Sequence, residues 1–372
     1  MASKLSILIL GFTQKLGGGG GNIHFTNLIR AWMLIGNKVT IYDPLNISEF
    51  NLKSVLRATM KSLFLKIDSI DEMNDCDIII SESLYPPDII LAIRLSHKHK
   101  KPVAIYFHHI TPAISIYPFR RGILRVFLNV IYTSILLHFV KNFEIPIFLD
   151  NPNTLDRHEM LVFPNLIAVR SIELECLPLP INLGMDYDIC YIGRIENHKG
   201  LEDIIKVSRI LVNKYSISLK VIIAGKGKPK YVEKIKKMID RFRLTENVKI
   251  RGYVSEKEKY ELLRRSRIFL FLSYEEGWAI SVMEAAKMGI PIVAYSLPAY
   301  YYLKGNYFSV ELGNIQQCAE TIKSVLQENA SALITAMKAK ECSNVFSYEF
   351  IAKQQIIFFK KIIDDYGDNF YG

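Results

Sequence analysis

The chain has 372 residues, half of them hydrophobic and about a quarter charged. This composition excludes a disordered protein, and the length predicts two domains of roughly 150–200 residues each. The formal net charge of +10 favours a phosphate-bearing ligand or an anionic membrane as a partner. No Arg-Gly tract and no zinc-finger spacing occurs, so nucleic acid is not an expected partner.

The five cysteines are scattered and include no C-x-x-C pair. This usage predicts a reducing compartment, the cytoplasm, and neither a disulfide framework nor a metal cluster. The apolar run at residues 5–10 is too short for the core of a signal peptide, so we expect a first buried strand there.

The first half alternates apolar strands with helical stretches. A helix is predicted from about Asn22 to Ile35, and residues 177–180 read as a linker because two prolines would break a strand. The alternation indicates a parallel sheet covered by helices on both faces. The predicted strands are Leu5–Leu10, Val39–Tyr42, Asp77–Ser81, Val103–Phe107 and Pro146–Leu149.

Two stretches of the first half bear on membrane contact. Residues 123–140 are largely apolar but are interrupted by Arg125, Asn129 and His138, which favours a buried helix over a spanning one. A helix lying in the membrane surface is the alternative for this stretch. Residues 53–66 are basic and amphipathic, which favours a helix with a solvated basic face and an apolar stripe against the core; peripheral contact at the cytosolic face of the membrane is the alternative.

The strand–helix pattern restarts after the linker and predicts a second doubly wound module. We expect domains at 1–180 and 181–345, and a last helix within 346–372 that packs back on the first domain. Ligands are expected at the carboxyl ends of the strands. The predicted strands are Asp188–Ile192, Leu219–Ala224, Val248–Ile250 and Ile268–Leu272, and the predicted helices are Leu201–Lys214, Tyr231–Phe242, Glu256–Arg265 and about Tyr348 to Asp364.

Glycines and histidines follow two strands of the first half. The run Gly17–Gly21 precedes the first helix and cannot serve helix stability, because each glycine costs about 1 kcal/mol relative to alanine. Gly18 and Gly19 are candidate ligand contacts, with a plain flexible loop as the alternative. His108 and His109 directly follow the fourth strand, where a histidine pair can exchange a proton or hold a phosphate.

Cationic loops follow two strands of the second half. Arg194 and Lys199 lie between a strand and a helix, and a guanidinium fork with a mobile ammonium suits a diphosphate at a helix N-terminus. A solvated, charged loop is the alternative. Gly225 and Lys226 close the next strand, in a place where a nucleotide could lie.

The most informative segment runs from residue 276 to residue 285. Glu276 and Glu284 bracket a glycine-led turn and the start of a helix, whose N-terminal N–H groups can bind a hydroxyl or a phosphate. Carboxylates at both ends can accept hydrogen bonds from hydroxyls, so the segment suits a nucleotide sugar; an ordinary turn with solvated glutamates is the alternative. The candidate contacts along the turn are Gly277, Trp278, Ala279, Ile280 and Ser281.

Together these segments resemble the retaining glycosyltransferases of family four, which have the α/β GT-B fold of two tandem Rossmann-like, doubly wound domains facing a cleft. The resemblance covers nearly the whole chain and is most specific between residues 188 and 296. It rests on Gly193-Arg194 with Lys199-Gly200, on Ala224–Gly227, on Gly252–Val254, and on the Glu276/Glu284 pair followed by Ala285, Gly289 and Pro291.

The resemblance implies a role for each candidate. Arg194 and Lys199 would hold the donor diphosphate and stabilise the leaving group, Glu276 would contact the sugar, and Glu284 would hold the ribose hydroxyls. The backbone from Gly277 to Ser281 and the Gly225 and Lys226 loop would complete the donor site. Gly18 and Gly19 would lie near the diphosphate, His108 near the sugar and the acceptor, and His109 on the acceptor side. Such enzymes use no metal and no cofactor besides the nucleotide-sugar donor.

The chain departs from the family pattern in three places. Trp278–Ser281 replaces the common Phe-Gly-Leu-Pro, which leaves the donor sugar open. Residues 296–304 contain three tyrosines and lack the usual glycine-then-glutamate, so no role carries over there. His109 stands where an aspartate is frequent.

The function expected is the transfer of a hexose from a UDP- or GDP-sugar to a hydroxyl acceptor, such as a lipid-linked glycan or a cell-surface polysaccharide. A non-catalytic nucleotide- or sugar-binding module is one alternative. A nicotinamide-dependent oxidoreductase is another, although the glycines do not form G-x-G-x-x-G. A sugar-nucleotide epimerase of similar fold would leave the Glu276/Glu284 pair without a role.

Overall fold

The computed structural model describes residues 4–10, 20–44, 52–67, 70–82, 86–107, 145–149, 166–167, 185–344 and 346–370. These residues form two compact units, one around each of two parallel sheets, and the C-terminal residues belong with the first. The expectations for Gly18, Gly19, His108, His109, residues 123–140 and the linker lie outside the described residues.

The first unit contains a six-stranded sheet with the order β2-β1-β3-β4-β5-β6, and every strand pair is parallel. The central strands are largely apolar because helices cover both faces of the sheet. The strands are β1 (Ser6–Leu10), β2 (Lys38–Tyr42), β3 (Ile78–Ser81), β4 (Val103–Phe107), β5 (Ile147–Leu149) and β6 (Leu166–Ile167), and the helices are α1 (Gly20–Leu34), α2 (Leu52–Phe64) and α3 (Pro86–His99).

The second unit contains a second parallel sheet of six strands, with the order β12-β11-β10-β7-β8-β9. The strands are β7 (Tyr187–Ile192), β8 (Val221–Ala224), β9 (Val248–Gly252), β10 (Ser266–Phe271), β11 (Ile292–Tyr295) and β12 (Phe308–Val310). The helices are α4 (Leu201–Asn213), α5 (Pro229–Arg241), α6 (Glu256–Arg264), α7 (Ile280–Met288), α8 (Ile315–Gln327) and α9 (Asn329–Ser343).

The chain winds outward from β7 in one direction and from β10 in the other. Read from β9 to β12, the order is that of a doubly wound nucleotide-binding sheet, and it reverses between β7 and β10. In such sheets ligands bind outside the carboxyl ends of the strands at this reversal. The segments that follow β7 and β10 are therefore the first place to look for a site.

The last helix, α10 (Tyr348–Phe370), packs against α1 in the first unit. The Trp32 and Phe359 rings meet edge to face at 5.5 Å, and Trp32 Nε1 donates a hydrogen bond of 3.0 Å to Gln355 Oε1. Burial of these large rings stabilises the contact by several kcal/mol, at about 1.5–3 kcal/mol for each large side chain.

The start of α1 differs from the expectation. The helix begins at Gly20, two residues before the predicted Asn22, so Gly20 and Gly21 lie in its first turn and not in a loop. The first N–H groups of a helix have no partner within the helix, which makes this end the place where glycine costs least. Of the described helices, none is long and apolar enough to cross a membrane.

Candidate active site

The segments after β7 and β10 carry three of the predicted site residues. Arg194 and Lys199 follow β7, and Glu276 follows β10. Because β7 and β10 are paired in parallel, their carboxyl ends meet at one edge of the sheet. The predicted residues are thus gathered where the strand order reverses.

A short 3₁₀ turn, Asn197–Lys199, is held against the end of β10 by backbone contacts. The Tyr274 amide donates to the His198 carbonyl oxygen at 2.8 Å. Gly200 follows the turn with φ +70°, and a Cβ there would lie 1.8 Å from the Leu272 carbonyl oxygen. Only glycine fits this approach, so Gly200 brings the turn and the β10 loop together.

Lys199 and Glu276 form a buried ion pair. Lys199 Nζ lies 2.6 Å from Glu276 Oε1, and the two side chains are 10% and 8% exposed. The ammonium also lies 5.7 Å from the centre of the Phe271 ring. Charged side chains are rarely buried unless they are paired, so this ion pair is part of the folded structure at this edge of the sheet.

Arg194 lies at the rim of this arrangement. Its guanidinium pairs with Glu196 at 2.9 Å and is 57% exposed, and its carbonyl oxygen accepts a hydrogen bond from the Tyr191 hydroxyl at 2.8 Å. The structure places it on the same loop as Lys199 but pairs it with a different carboxylate. An exposed guanidinium can turn toward an incoming anion at little cost.

Gly225, which directly follows β8, approaches a neighbouring loop too closely for any other residue. Gly225 has φ +151°, and a Cβ there would lie 1.7 Å from the Gly193 carbonyl oxygen. The loops after β7 and β8 are therefore in close backbone contact, and Lys226 is exposed beside them. The predicted donor contacts at Gly225 and Lys226 lie next to the Arg194 loop.

The turn after Glu276 enters α7 through a strained residue. Ala279 precedes the helix in the left-handed region, at φ 60° and ψ 71°, where an L-residue other than glycine pays an energetic cost. The Trp278 side chain is buried, while Ile280 and Ser281 are partly exposed at the helix start. The indole is therefore part of the core.

The tyrosine stretch, to which the sequence assigned no role, packs under this turn. The Trp278 ring lies 4.7 Å from the Tyr302 ring, and the Tyr302 hydroxyl donates to the Trp278 carbonyl oxygen at 3.2 Å. Tyr302 thus stabilises the strained turn that leads into α7. In the sequence, only the large aromatic residue at position 278 indicated that other aromatic side chains would pack against this turn.

Three buried tyrosine hydroxyls lie in the field of Glu276. Burial, followed by the negative charge of Glu276, raises the pKa values of Tyr191, Tyr300 and Tyr302 well above the usual 10.0. Within the described part of the chain, the buried Tyr300 hydroxyl makes no hydrogen bond. These tyrosines stay neutral and offer polar atoms beside the ion pair.

Glu284 forms a second buried ion pair, with Lys259 on α6. Lys259 Nζ lies 2.6 Å from Glu284 Oε1, and the side chains are 11% and 7% exposed. Burial raises the pKa of Glu284 and the lysine charge opposes this rise. Burial lowers the pKa of Lys259, but Glu284 and Glu256 more than offset this and raise it. Lys259 belongs to no sequence motif, so no pattern marked it as a site residue.

In the first unit, Glu82 is a buried carboxylate that no sequence motif marked. Glu82 directly follows β3 and is 1% exposed, and its amide donates to the Leu10 carbonyl oxygen at 3.3 Å. It therefore lies where the first sheet reverses its order, between β1 and β3. Among the described residues, no group of three or more His, Cys, Asp or Glu side chains is placed to hold a metal ion.

Comparisons with solved structures show the fold. Sucrose-phosphate synthase from Thermosynechococcus elongatus superposes with a TM-score of 0.77 at 13% identity, covering 97% of this chain and 100% of that one. HepE of Anabaena, solved with UDP and glucose, gives 0.70 at 15% identity, covering 96% and 100%. The predicted α/β fold class of two tandem Rossmann-like domains, GT-B, is confirmed.

Sequence comparisons find similarity to glycosyltransferases. A 2-deoxystreptamine N-acetyl-D-glucosaminyltransferase from Niallia circulans is 29% identical over 119 residues, which is 32% of this chain and 30% of that enzyme. A poly(ribitol-phosphate) alpha-N-acetylglucosaminyltransferase from Staphylococcus aureus (strain COL) is 25% identical over 197 residues, 52% of this chain and 38% of that enzyme. These matches thus span about a third of each relative's length. The family model for glycosyl transferases group 1 matches residues 181–341, in agreement with the resemblance.

Proposed function

We propose that this chain is a retaining glycosyltransferase that moves a hexose from a UDP- or GDP-sugar to a hydroxyl acceptor. The observation that carries the proposal is the buried Lys199–Glu276 pair at the strand reversal between β7 and β10. Sequence comparison supports it, because the relatives described above are named as transferases of N-acetylglucosamine. Those names favour a transferase over the oxidoreductase.

Each charged residue of the site has a task in this reaction. Lys199 supplies positive charge for the diphosphate as the bond to the sugar breaks, and Arg194 turns inward from the rim to share that charge. Glu276 holds the ammonium in place and accepts hydrogen bonds from sugar hydroxyls. The turn from Gly277 to Ser281 leads into α7, whose N-terminal N–H groups can bind the donor, and Glu284 accepts from the ribose.

We propose that no metal takes part, because the cationic side chains and the helix N-terminus can balance the diphosphate charge. Preorganised donors of this kind are worth about 10²–10³ in rate for each group. Gly18, Gly19 and His108 remain proposals for the donor and acceptor sides, as does His109 on the acceptor side.

We propose a glycan or lipid-linked glycan as the acceptor, with peripheral contact at the cytosolic face of a membrane. On α2, Met60, Leu63 and Phe64 are exposed apolar residues, and Arg57 and Lys61 are exposed basic residues on the same helix. Apolar and basic side chains on one exposed helix suit an anionic lipid surface. In the poly(ribitol-phosphate) relative, the name points to a polymeric acceptor.

Donor turnover tests the proposal. The protein would be incubated with UDP-, GDP- and ADP-sugars, with and without EDTA, and released nucleoside diphosphate would be assayed. We expect slow hydrolysis of one donor, unaffected by EDTA. With an acceptor glycan added, we expect an α-linked product from an α-linked donor by NMR. Nucleotide binding without release from any donor, even with acceptor glycans, would favour the non-catalytic binding module.

Vesicle sedimentation tests the membrane contact separately. Replacing Leu63 and Phe64 by serine should weaken binding to vesicles that contain anionic lipid. Replacing the exposed Leu333 and Met337 of α9 by serine is the matched control and should leave binding unchanged. Equal vesicle binding by the α2 and α9 variants would contradict a role of α2 in membrane contact.

A further inference from the structure

Lys259 is a largely buried lysine, with its side chain 11% exposed, and it lies outside every motif of the chain. It lies on α6, and its side chain reaches across to Glu284 on α7. Lysine is rarely buried, because its ammonium is strongly hydrated and its long side chain loses rotamer freedom. A buried lysine beside a predicted ligand-binding carboxylate therefore calls for a functional reason.

The ammonium engages one oxygen of Glu284 and leaves the other. Lys259 Nζ lies 2.6 Å from Glu284 Oε1 and 2.6 Å from Glu256 Oε2. Within the described part of the chain, Glu284 Oε2 accepts no hydrogen bond. The contact to Oε1 restricts how the carboxylate can turn and leaves Oε2 as the oxygen that can accept from an incoming donor.

The lysine also opposes the effect of burial on the carboxylate. Burial raises the pKa of Glu284, and the positive charge of Lys259 is the largest influence that opposes this. A buried carboxylate without a cation takes up a proton to avoid carrying its charge out of water. An ionised carboxylate accepts hydrogen bonds about twice as strongly as a neutral group.

We propose that Lys259 is a positioning residue for nucleotide recognition, which pairs with Glu284 Oε1 and so aims the Oε2 atom at the ribose hydroxyls of the donor. This inference rests on the proposed function, since it assigns the ligand of Glu284 to a nucleotide. It adds a residue that neither the family pattern nor the motif spacing supplies. The predicted consequence is that Lys259 determines the preference for ribose over deoxyribose.

The test measures nucleotide binding by calorimetry, so it does not depend on an acceptor. UDP, GDP and ADP would be compared first, and the tightest of the three would be compared with its 2′-deoxy and 3′-deoxy forms. We expect the wild-type protein to prefer the ribonucleotide over at least one deoxy form by about tenfold or more, the value of one hydrogen bond to a charged group.

Substitutions at two positions of α6 then separate the roles. Lys259→Met and Lys259→Gln should reduce the ribose preference to within about threefold, and Lys259→Arg should restore most of it, because only the arginine keeps the charge. Lys257→Met, on the exposed side of the same helix, should keep the full preference. Circular dichroism identifies any variant that does not fold, and Lys259→Gln serves if Lys259→Met fails.

The outcomes are distinguishable. A folded Lys259→Met or Lys259→Gln protein that keeps the full ribose preference would overturn the inference and leave the proposed function intact. A wild-type protein that binds none of the three nucleotides would overturn both. Loss of affinity for ribo and deoxy forms by the same factor would assign Lys259 a general structural role and would also overturn the inference.

Discussion

Two buried lysine–glutamate pairs lie at the two ends of the segment from Glu276 to Glu284, and they differ in their surroundings. Lys199 and Glu276 come from two loops at the strand reversal, one cation for one carboxylate, among buried tyrosines. Lys259 and Glu284 come from two helices, and Lys259 is shared with Glu256, which is 68% exposed.

The difference separates two tasks. The first pair is charge-balanced, lies beside the predicted diphosphate loop, and suits the stabilisation of charge that develops in a reaction. The second pair has a surplus carboxylate and a rigid helical frame, which suits the recognition of a neutral diol. Sites on helices are held more rigidly than sites on loops.

Removing the lysine from either ion pair should have the largest effect on stability. Lys199→Met and Lys259→Met each leave a buried carboxylate without its cation, and we expect a loss of about 3–5 kcal/mol in the free energy of unfolding. Urea unfolding measures it. The double variant Lys199→Met with Glu276→Gln should lose less than the sum of the single variants; strict additivity would show that the two side chains do not interact.

The approach of Gly200 to the end of β10 affects the first pair alone. Gly200→Ala should lower the free energy of unfolding by about 2–4 kcal/mol more than Gly252→Ala. Both glycines have positive φ, but a Cβ at 252 meets no atom within 4 Å whereas one at 200 meets the Leu272 carbonyl oxygen. Equal losses in thermal or urea unfolding would show that the turn can move away from β10.

The tyrosines around Glu276 predict a loss of stability in alkali. Their pKa values are raised in the folded protein, so in the unfolded chain they ionise near 10.0 while in the folded chain they stay neutral. The folded state then binds more protons, and the free energy of unfolding falls as the pH rises above about 10. Tyrosinate absorbance should appear together with unfolding; earlier ionisation of these tyrosines would contradict the burial. The triple variant with Phe at 191, 300 and 302 is the control.

A substitution at Ala279, which lies between the glutamates of the two ion pairs along the chain, should have the smallest effect on the free energy of unfolding. It should increase stability, whereas the changes above reduce it. Ala279→Gly relieves the left-handed backbone and should stabilise the protein by up to about 1 kcal/mol. Ala286→Gly, within α7, should instead destabilise it by about 1 kcal/mol or more. Destabilisation by the glycine at 279 would show that the strain is not real.

The sequence predicted the parts of the fold that depend on local pattern. Apolar runs such as that of β10 and the glycines after β7 and β8 indicated two parallel sheets, and the order of motifs indicated the family. The bounds of elements were less predictable, as the start of α1 shows, because glycine is tolerated where N–H groups are unpaired.

The site was predictable where the residues lie in one motif. Glu276 and Lys199 were both foreseen as site residues, but their direct contact depends on Gly200 approaching Leu272, which no local pattern encodes. Lys259 and the Tyr302 hydroxyl could not be foreseen, because their partners are 25 and 24 residues away along the chain. Contacts between elements of this kind are set by packing.

The most direct test of the central claim is the rate of nucleoside diphosphate release by Glu276→Gln. The substitution removes the charge but keeps the shape, and Glu275→Gln at the neighbouring position is its matched control. With the donor that the wild-type protein turns over, and with both variants shown to be folded, we predict a fall of about 10²–10³ for Glu276→Gln and little change for Glu275→Gln. Equal rates for wild type and Glu276→Gln would contradict the assignment of the Lys199–Glu276 pair as the reactive site.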